Sequence, residues 1–259
     1  MTESVDTLMQ AALEVAHLAS ATAMRFYRTG IAVEWKSDGS PVTAADRTAE
    51  EAARQWIRKR FPHDTILGEE YGAESGSSDR RWILDPIDGT KSFIRGVPLW
   101  GSLVAVATGD MVLAGAASFA PVGESIAAGI GCGAWCNGAR ARVSTVATLA
   151  AATVLITDDR TAGPEMAHVG WPVLHHSAAV SRTWGDCFGY LLVATGRAEV
   201  MIDMTLRDWD AACFQPIITE AGGDFTDLAG VPTAFGGSAV ATNAALAATV
   251  RRILRQGTA

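Results

Sequence analysis

Basic residues are in short supply in this 259-residue chain, which has 21 Lys and Arg against 28 Asp and Glu. The formal net charge is −7, and no basic stripe interrupts the acidic excess. Proteins that bind nucleic acid need such a stripe to neutralise backbone phosphates, so the sequence argues against a nucleic-acid partner. If the ligand is a small phosphate, the positive charge must come largely from a metal ion.

Cysteine is also scarce, and the cysteines do not form a metal-binding pattern. The chain has four, with no C-x-x-C pair and no adjacent histidine that would complete a tetrahedral zinc site. We therefore expect free thiols and a reducing compartment. The cysteines are Cys132, Cys136, Cys187 and Cys213.

Long apolar runs are missing as well. No stretch approaches the ~18 apolar residues of a membrane-spanning helix. Glu3 and Asp6 stand where a secretion signal would carry Lys or Arg. The prediction is a cytoplasmic protein without membrane contact. The chain also has no nucleophile elbow of the serine-hydrolase type, so a serine-hydrolase triad has little support.

The composition that remains is that of an ordinary globular protein, with 49% hydrophobic and 19% charged residues. The length is sufficient for one large domain or two closely fused halves. Between residues 144 and 152 the composition shifts to Ala, Thr and Ser. We place a seam there, dividing an N-terminal α+β half (1–145) from a C-terminal α/β half (146–259).

Apolar periodicity and turn residues predict the elements of both halves. In the first half we expect helices over 5–28 and 44–61, a mobile loop over 73–79, and antiparallel strands over 102–108, 112–119 and 124–130. In the second half we expect strands over 154–157, 173–175 and 198–202, and helices before Gly170 and over 185–194, 209–221 and 244–255.

The most informative stretch is residues 82–93, W-I-L-D-P-I-D-G-T-K-S-F. Trp82 to Leu84 is predicted as a short buried strand that ends at Asp85, because Pro86 lacks an N–H and should stop the pairing. Asp88 follows within the turn, and Gly89 and Thr90 can open a helix with unpaired N–H groups. Two carboxylates beside free amide donors suit a divalent cation and a phosphate.

Simpler interpretations of this stretch stay open at this point. Asp85 and Asp88 could only cap a strand–helix turn, since Asp and Pro are common turn residues. Phosphatases of the haloacid dehalogenase type use D-x-D-G-T with a nucleophilic first Asp, whereas this chain has D-x-x-D-G-T, one residue longer. The different spacing changes how the two carboxylates are directed.

Other acidic residues stand at similar positions elsewhere in the chain. Glu69 and Glu70 end a predicted strand, and strand geometry allows only one of them to face the Asp85–Asp88 turn. Asp46 follows Thr43 by three residues, as in a capping box, and either caps a helix or lies near a metal. Asp210 begins a predicted helix and Asp203 ends a predicted strand, so helix and turn roles stay open for both.

Three motifs together resemble the inositol monophosphatase family of magnesium-dependent phosphomonoesterases. They are Gly68-Glu69-Glu70, residues 82–93 and Trp209-Asp210-Ala211-Ala212, and their order and spacing cover nearly the whole chain. The resemblance implies an α+β fold, the αβαβα sandwich shared with fructose-1,6-bisphosphatase, and a homodimer. Coarse element counting alone reaches only a protein with α and β structure in two halves.

The resemblance also implies a role for each matching residue. The metal ligands of two or three Mg²⁺ ions would be the carboxylates of Glu69, Asp85, Asp88 and Asp210 and the carbonyl of Ile87. Phosphate would be bound by Asp88, Gly89, Thr90 and Asp210. Glu69 and Thr90 would position a metal-activated water for in-line hydrolysis without a phosphoenzyme, with Asp46 as a supporting or third-metal carboxylate and Lys36 at a position where the family often has lysine.

Residues 181–190, with Asp203, match the substrate loop of the family, and W-G-D-C-F-G-Y within them is similar to the histidinol-phosphate phosphatase branch. Arg182, Gly185, Asp186 and Asp203 are the predicted substrate residues. Histidinol phosphate carries an ammonium and an imidazole that carboxylates can pair with, whereas inositol offers only neutral hydroxyls. Three alternatives stay open: Asp186 only caps a helix, the substrate is inositol 1-phosphate or a small sugar phosphate, or the protein is a catalytically silent dimeric module.

Overall fold

The computed structural model describes residues 3–37, 39, 41–159 and 170–256. Its helices are α1 (Val5–Met24), α2 (Ala44–Arg60), α3 (Thr90–Ile94), α4 (Trp171–Ser177), α5 (Cys187–Ala194), α6 (Asp208–Ala211), α7 (Phe214–Glu220) and α8 (Ala247–Gln256). Short 3₁₀ turns occupy Ala120–Val122 and Leu149–Ala151. Over these described ranges, no helix combines the length and the apolar character that crossing a bilayer requires.

The strands form two larger sheets and one small hairpin. The hairpin pairs β1 (Val33–Trp35) with β2 (Pro41–Thr43). The eight-stranded sheet contains β3 (Thr65–Gly68), β4 (Gly72–Glu74), β5 (Arg80–Asp88), β6 (Gly101–Thr108), β7 (Met111–Phe119), β8 (Glu124–Gly129), β9 (Gly133–Cys136) and β10 (Ala139–Arg140). The five-stranded sheet contains β11 (Thr153–Ile156), β12 (Val180–Arg182), β13 (Val200–Asp203), β14 (Gly223–Thr226) and β15 (Ala239–Asn243).

The central strands of the eight-stranded sheet are buried on both faces. Its order is β10-β9-β8-β7-β6-β5-β3-β4. Along β5, Trp82 and Leu84 pack against α1 and α2, while Ile83 points to the opposite face and joins a second core. A strand that is covered on both faces needs apolar side chains at consecutive positions, and this is why Trp82, Ile83 and Leu84 follow one another without a polar residue.

The second core joins the two sheets through α5 and α7. Ile83 from the first sheet and Met201 from the second belong to the same buried cluster, with Leu191 of α5 and Phe214 and Ile217 of α7. The outer face of the five-stranded sheet is covered by α4 and α8 through Leu174 and Val250. The layers are therefore α, β, α, β, α, and the predicted αβαβα sandwich is confirmed.

Several predicted elements differ from the observed ones. Residues 173–175 were predicted as a strand but lie in α4, which begins after Gly170 and has Pro172 in its first turn, a favoured position for proline. The predicted helix over 209–221 is two helices, α6 and α7, because Pro216 has no N–H to continue the ladder. The helix predicted before Gly170 lies outside the described residues. Seven short strands were not predicted, namely β2, β4, β9, β10, β12, β14 and β15.

Pro86 does not end β5, contrary to the prediction. Asp85 pairs with Leu103 and Asp88 with Gly101, so three steps along β5 match two steps along β6. The extra residue is a β-bulge, which accommodates a residue that cannot donate to the ladder. The Pro86 carbonyl accepts a hydrogen bond from the Ser102 hydroxyl at 2.6 Å. In a regular strand residues three apart point to opposite faces, and the bulge removes this restriction for Asp85 and Asp88.

Residues 73–79 are also more ordered than predicted. The segment begins in β4, which pairs with β3, and its later residues are hydrogen-bonded to the residues that precede β3. The backbone N–H groups of Ser77 and Ser78 donate to the His63 carbonyl, and the Ser78 hydroxyl donates to Asp64. These contacts fix the segment at the edge of the sheet.

Candidate active site

Parallel pairing brings the first two acidic motifs together. Strands β3 and β5 are parallel, with Gly68 opposite Leu84, and the Glu69 N–H donates to the Leu84 carbonyl at 3.2 Å. Glu69, which directly follows β3, therefore lies beside Asp85, which stays paired within β5. Neighbouring carboxyl ends of parallel strands are where α/β proteins place their ligands.

Three carboxylates meet at this edge. Oxygen atoms of Asp85, Asp88 and Asp210 all lie within 4.8 Å of one another. Each carboxylate is oriented by a backbone N–H: that of Ile87 donates to Asp85 at 3.0 Å, that of Cys187 to Asp88 at 2.5 Å, and that of Arg207 to Asp210 at 2.7 Å. Asp210 thus makes the predicted helix-start contact and also belongs to the cluster.

Burial and mutual repulsion raise the pKa values of these groups. Burial, followed by the charges of Glu69, Asp88 and Asp210, holds the pKa of Asp85 well above its ordinary value. Burial, then the charges of Asp186 and Asp210, does the same for the pKa of Asp88. Burial raises the pKa of Asp210 to about 6. Such a cluster is unfavourable without a counter-ion, and the donor set of hard carboxylate oxygens fits Mg²⁺.

The turn after Asp88 requires a glycine, Gly89, because other residues would be strained there. Gly89 has φ 86°, and a Cβ there would lie 2.8 Å from the Leu99 carbonyl oxygen. Helix α3 begins immediately afterwards at Thr90, as predicted. The Thr90 hydroxyl donates to the Ile87 carbonyl at 3.0 Å, so the predicted carbonyl ligand and the predicted water-positioning residue are in contact.

Lys36 is placed against the Glu69–Glu70 pair. Its Nζ lies 2.8 Å from Glu69 Oε1 and 2.7 Å from Glu70 Oε1. The chain leaves the strand after Gly68, so strand alternation no longer separates the two side chains. Burial raises the pKa of Glu70 to about 7, with the Glu69 charge contributing and Lys36 opposing.

Asp46 makes the complete capping box of α2. Its Oδ2 accepts hydrogen bonds from the Thr43 N–H at 2.8 Å and the Thr43 hydroxyl at 2.7 Å. The side chain is buried, and burial, with a contribution from the Glu69 charge, raises its pKa. Asp46 therefore caps the helix while lying within the electrostatic field of the cluster.

A cavity of about 200 Å³ opens beside the three carboxylates. Predicted site residues in its wall are Asp88, Asp186, Asp203 and Asp210. The wall also contains residues that sequence reasoning missed, among them Lys91, Thr157 and Asp158. Lys91 adjoins Thr90 in the central motif. Thr157 and Asp158 follow β11, whose parallel neighbour β13 ends in Asp203, so their position at a strand end was the available signal.

Asp186 does not cap the helix that follows it. It precedes α5, but its side chain makes no capping hydrogen bond and its φ is 47°, a left-handed value that is costly for a residue with a Cβ. Its backbone N–H donates to the Thr157 hydroxyl at 2.8 Å, and a Cβ on Gly185 would lie 2.1 Å from the Thr157 Cα. Burial raises the pKa of Asp186 to about 6, against the opposing charge of Lys91.

The remaining predicted substrate residues are placed differently from one another. Asp203 is buried and accepts a hydrogen bond from the Tyr190 hydroxyl at 2.8 Å, and burial raises its pKa to about 7. Arg182 lies exposed on β12, with Nη1 donating to the Ser181 carbonyl, and does not line the cavity. It lies on a strand because β12 pairs in parallel with β11, which the sequence pattern did not reveal.

Comparisons with known proteins agree with this geometry. The model of the inositol monophosphatase family matches residues 4–258. A protein named histidinol-phosphatase from Chlorobaculum parvum is 42% identical over 226 residues, which is 86% of each chain. A histidinol-phosphatase from Mycobacterium tuberculosis is 36% identical over 94% of this chain and 95% of its own. The solved structure of the extragenic suppressor protein suhB from Bartonella henselae superimposes with a TM-score of 0.90, at 26% identity, over 97% of this chain and 99% of that one.

Proposed function

The chain belongs to the inositol monophosphatase family, and from this premise we propose that it is a phosphoric monoester hydrolase that converts L-histidinol phosphate to histidinol and phosphate with Mg²⁺. The observation that supports this choice of substrate is the 35–42% identity to proteins named histidinol-phosphatase over most of the chain. The acidic cavity beside the carboxylate cluster supports this substrate, because histidinol phosphate has a phosphate at one end and a cationic group at the other.

The residues that would hold the ions are Glu69, Asp85, Asp88, Asp210 and the Ile87 carbonyl. When bound, Mg²⁺ supplies positive charge for the phosphoryl oxygens and lowers the pKa of the attacking water. The backbone of Gly89 and Thr90 would bind the phosphate. Glu69, held by Lys36, and the Thr90 hydroxyl would orient the water for attack in line with the leaving oxygen.

The other end of the substrate would lie against Asp186, Asp158 and Asp203. These carboxylates line the same cavity, and Lys91 also lines it. A cationic ammonium or imidazolium would gain charge-assisted hydrogen bonds there, whereas the hydroxyl groups of a neutral polyol would donate hydrogen bonds that carry no opposite charge and are weaker. The left-handed backbone of Asp186 supports a binding role, because strain of this kind is common where a side chain must face a ligand.

A panel assay of phosphate release tests the substrate. We expect kcat/KM for L-histidinol phosphate to exceed that for inositol 1-phosphate and fructose 1,6-bisphosphate at least about tenfold, or about 1.4 kcal/mol of transition-state binding. The assay needs saturating Mg²⁺ and a metal-free control with chelator. A tenfold preference for inositol 1-phosphate would overturn the substrate assignment while leaving the reaction class intact.

Asp186→Asn should separate recognition of the cation from chemistry on the phosphate. We expect KM for histidinol phosphate to rise about tenfold, because one charge-assisted contact is lost, while kinetics on an uncharged alkyl phosphate stay close to those of the native protein. The matched control is Asp110→Asn in the exposed β6–β7 turn, which should change neither substrate. Equal losses on both phosphates would mean that Asp186 acts on the fold of the site.

Three further features stay predictions within this proposal. They are a cytoplasmic location, a homodimer, and a division into halves at residues 145 and 146. The described cysteines are all free thiols, in agreement with a reducing compartment. Sedimentation of the purified protein with and without Mg²⁺ would measure the oligomeric state.

A further inference from the structure

A buried ion pair lies on α2, outside the cluster of proposed metal ligands. Arg54 Nε donates to Glu50 Oε1 at 2.8 Å, and the two side chains are only 2% and 0% exposed. A fully buried carboxylate is expensive unless its charge and its lone pairs are satisfied. The partners that satisfy Glu50 therefore indicate what it does.

The partners of Glu50 are the backbone groups directly after Glu69. Glu50 Oε2 accepts a hydrogen bond from the Glu70 N–H at 2.8 Å, and Glu50 Oε1 accepts one from the Tyr71 N–H at 3.2 Å. Arg54 extends the contact, with Nη2 donating to the Gly72 carbonyl at 2.5 Å. The pair thus binds backbone groups of three consecutive residues, Glu70, Tyr71 and Gly72, where the chain passes from β3 to β4.

The glycine before Glu69 is fitted to the same carboxylate. A Cβ on Gly68 would lie 2.0 Å from Glu50 Oε1 and 2.7 Å from Oε2. The Glu50 carboxylate therefore lies directly against the backbone on both sides of Glu69. On the opposite side, the Glu69 N–H is bonded to the Leu84 carbonyl of β5.

We propose that Glu50 is a positioning residue for Glu69, an inference that rests on the proposed function of Glu69 as a magnesium ligand. The backbone of residues 68–71 is held between β5 and the Glu50 carboxylate, so the direction of the Glu69 side chain is set before an ion arrives. Arg54 balances the charge of the buried Glu50 carboxylate. Residues behind metal ligands that orient them typically affect metal affinity or activity 10- to 100-fold.

Glu50→Gln is the test, because it preserves shape and removes charge. Glutamine has one acceptor oxygen and an NH₂ group, so it cannot accept from both N–H groups and from Arg54 as the carboxylate does. We expect the Kd for Mg²⁺ of the substrate-free protein, measured by titration calorimetry, to rise at least about tenfold. At saturating Mg²⁺, KM for histidinol phosphate should stay within about twofold, because the substrate cavity is untouched.

The matched control is Asp64→Asn. Asp64 is also a buried carboxylate paired with an arginine, accepting from Arg80 Nε at 2.5 Å and from Trp82 Nε1 at 2.9 Å, but it precedes β3 at the end opposite Glu69. The Asp64→Asn substitution should lower the thermal midpoint of unfolding without changing the Kd for Mg²⁺. If both variants weaken Mg²⁺ binding equally, or if Glu50→Gln binds Mg²⁺ like the native protein, the positioning role is wrong.

Gly68→Ala provides a second route if Glu50→Gln does not fold. The added methyl group would displace the Glu50 carboxylate from beneath the loop while both charges of the pair remain. The same rise in the Kd for Mg²⁺ is expected, and an unchanged Kd would contradict the proposal. Calorimetry with Mg²⁺ alone tests the positioning role even if the native protein hydrolyses none of the phosphates offered. Failure of the proposed reaction can therefore be distinguished from failure of the positioning role.

Discussion

Asp88→Asn is expected to lower kcat/KM for histidinol phosphate by ~10³-fold or more, roughly 4 kcal/mol of transition-state stabilisation. Asp88 is placed to serve both the ions and the phosphate, since it lies within 4.8 Å of Asp85 and Asp210 and also lines the substrate cavity. Asparagine keeps an oxygen that can accept the Cys187 N–H, so the local backbone should hold. The loss is therefore one of charge and not of shape.

The same substitution should make the metal-free protein more stable. Burial and the charges of Asp186 and Asp210 hold the pKa of Asp88 well above its ordinary value, which means that the ionised carboxylate is disfavoured in the folded state. Removing the charge removes that repulsion. Most substitutions of buried residues lower stability, so a gain in the free energy of unfolding combined with loss of turnover is a distinctive result.

Both quantities are measured on one preparation. Phosphate release gives kcat/KM, and urea unfolding in chelator gives the free energy of unfolding for the native and Asp88→Asn proteins. Residual activity within tenfold of native would remove Asp88 from the chemistry. A native protein that binds Mg²⁺ but releases no phosphate would instead support the catalytically silent module.

The sequence predicted the site best where a local motif carries the chemistry. Asp85 and Asp88 are close in sequence and lie in the last part of β5, on either side of the bulge. The resemblance connected them to Glu69 and also to Asp210, which is more than a hundred residues further along the chain. Their convergence depends on the parallel pairing of β3 with β5 and on the bulge at Pro86. Neither feature has a local signature, since the same proline also fits the end of a strand.

The sequence did not predict the roles of side chains that depend on residues distant along the chain. Glu50 looks like a helix-surface residue in sequence, and only the packing of α2 under residues 68–72 shows that it is buried. Asp158 stands in a turn-rich stretch and reaches the cavity because β11 lies beside β13. Residues 173–175 were predicted as a strand but lie in α4, where the ring centroids of His175 and His176 are 5.1 Å apart. Short apolar segments fit helix and strand alike, and tertiary packing decides between them.

Mg²⁺ is expected to stabilise the native protein, and to do so more strongly as the pH rises. At a concentration about 100 times its Kd, a ligand that binds only the folded state adds about 2.7 kcal/mol, which for a chain of this size raises Tm by roughly 5–10 °C. The carboxylates must be ionised to bind the ion. Protons therefore compete with Mg²⁺ over the range in which the site titrates.

The sign of the pH dependence follows from the raised pKa values. Burial raises the pKa of Asp210 to about 6 and that of Asp203 to about 7, against about 3.9 for an unfolded Asp. Below about pH 4 the two carboxyl groups are protonated in both the folded and the unfolded state, so they do not change the free energy of unfolding. Above about pH 7 they are ionised in both states, and the full free-energy cost of ionising them inside the folded protein is present. The metal-free protein should thus lose stability between about pH 4 and pH 7. Exposed carboxylates whose pKa is lowered by arginine, such as Glu34 and Glu74, change stability only at lower pH.

Thermal unfolding in chelator and in saturating Mg²⁺, at about pH 5 and about pH 8, measures both effects. The rise in Tm caused by Mg²⁺ should at least double between the two pH values, because at pH 5 the ion must displace protons that the cluster holds on account of its burial and mutual repulsion. Asp88→Asn should lose most of this rise at either pH, while Asp110→Asn should retain it. A shift that is equal at both pH values would mean that Mg²⁺ binds away from Asp85, Asp88 and Asp210, since exposed carboxylates are already ionised at pH 5 and would show no such dependence.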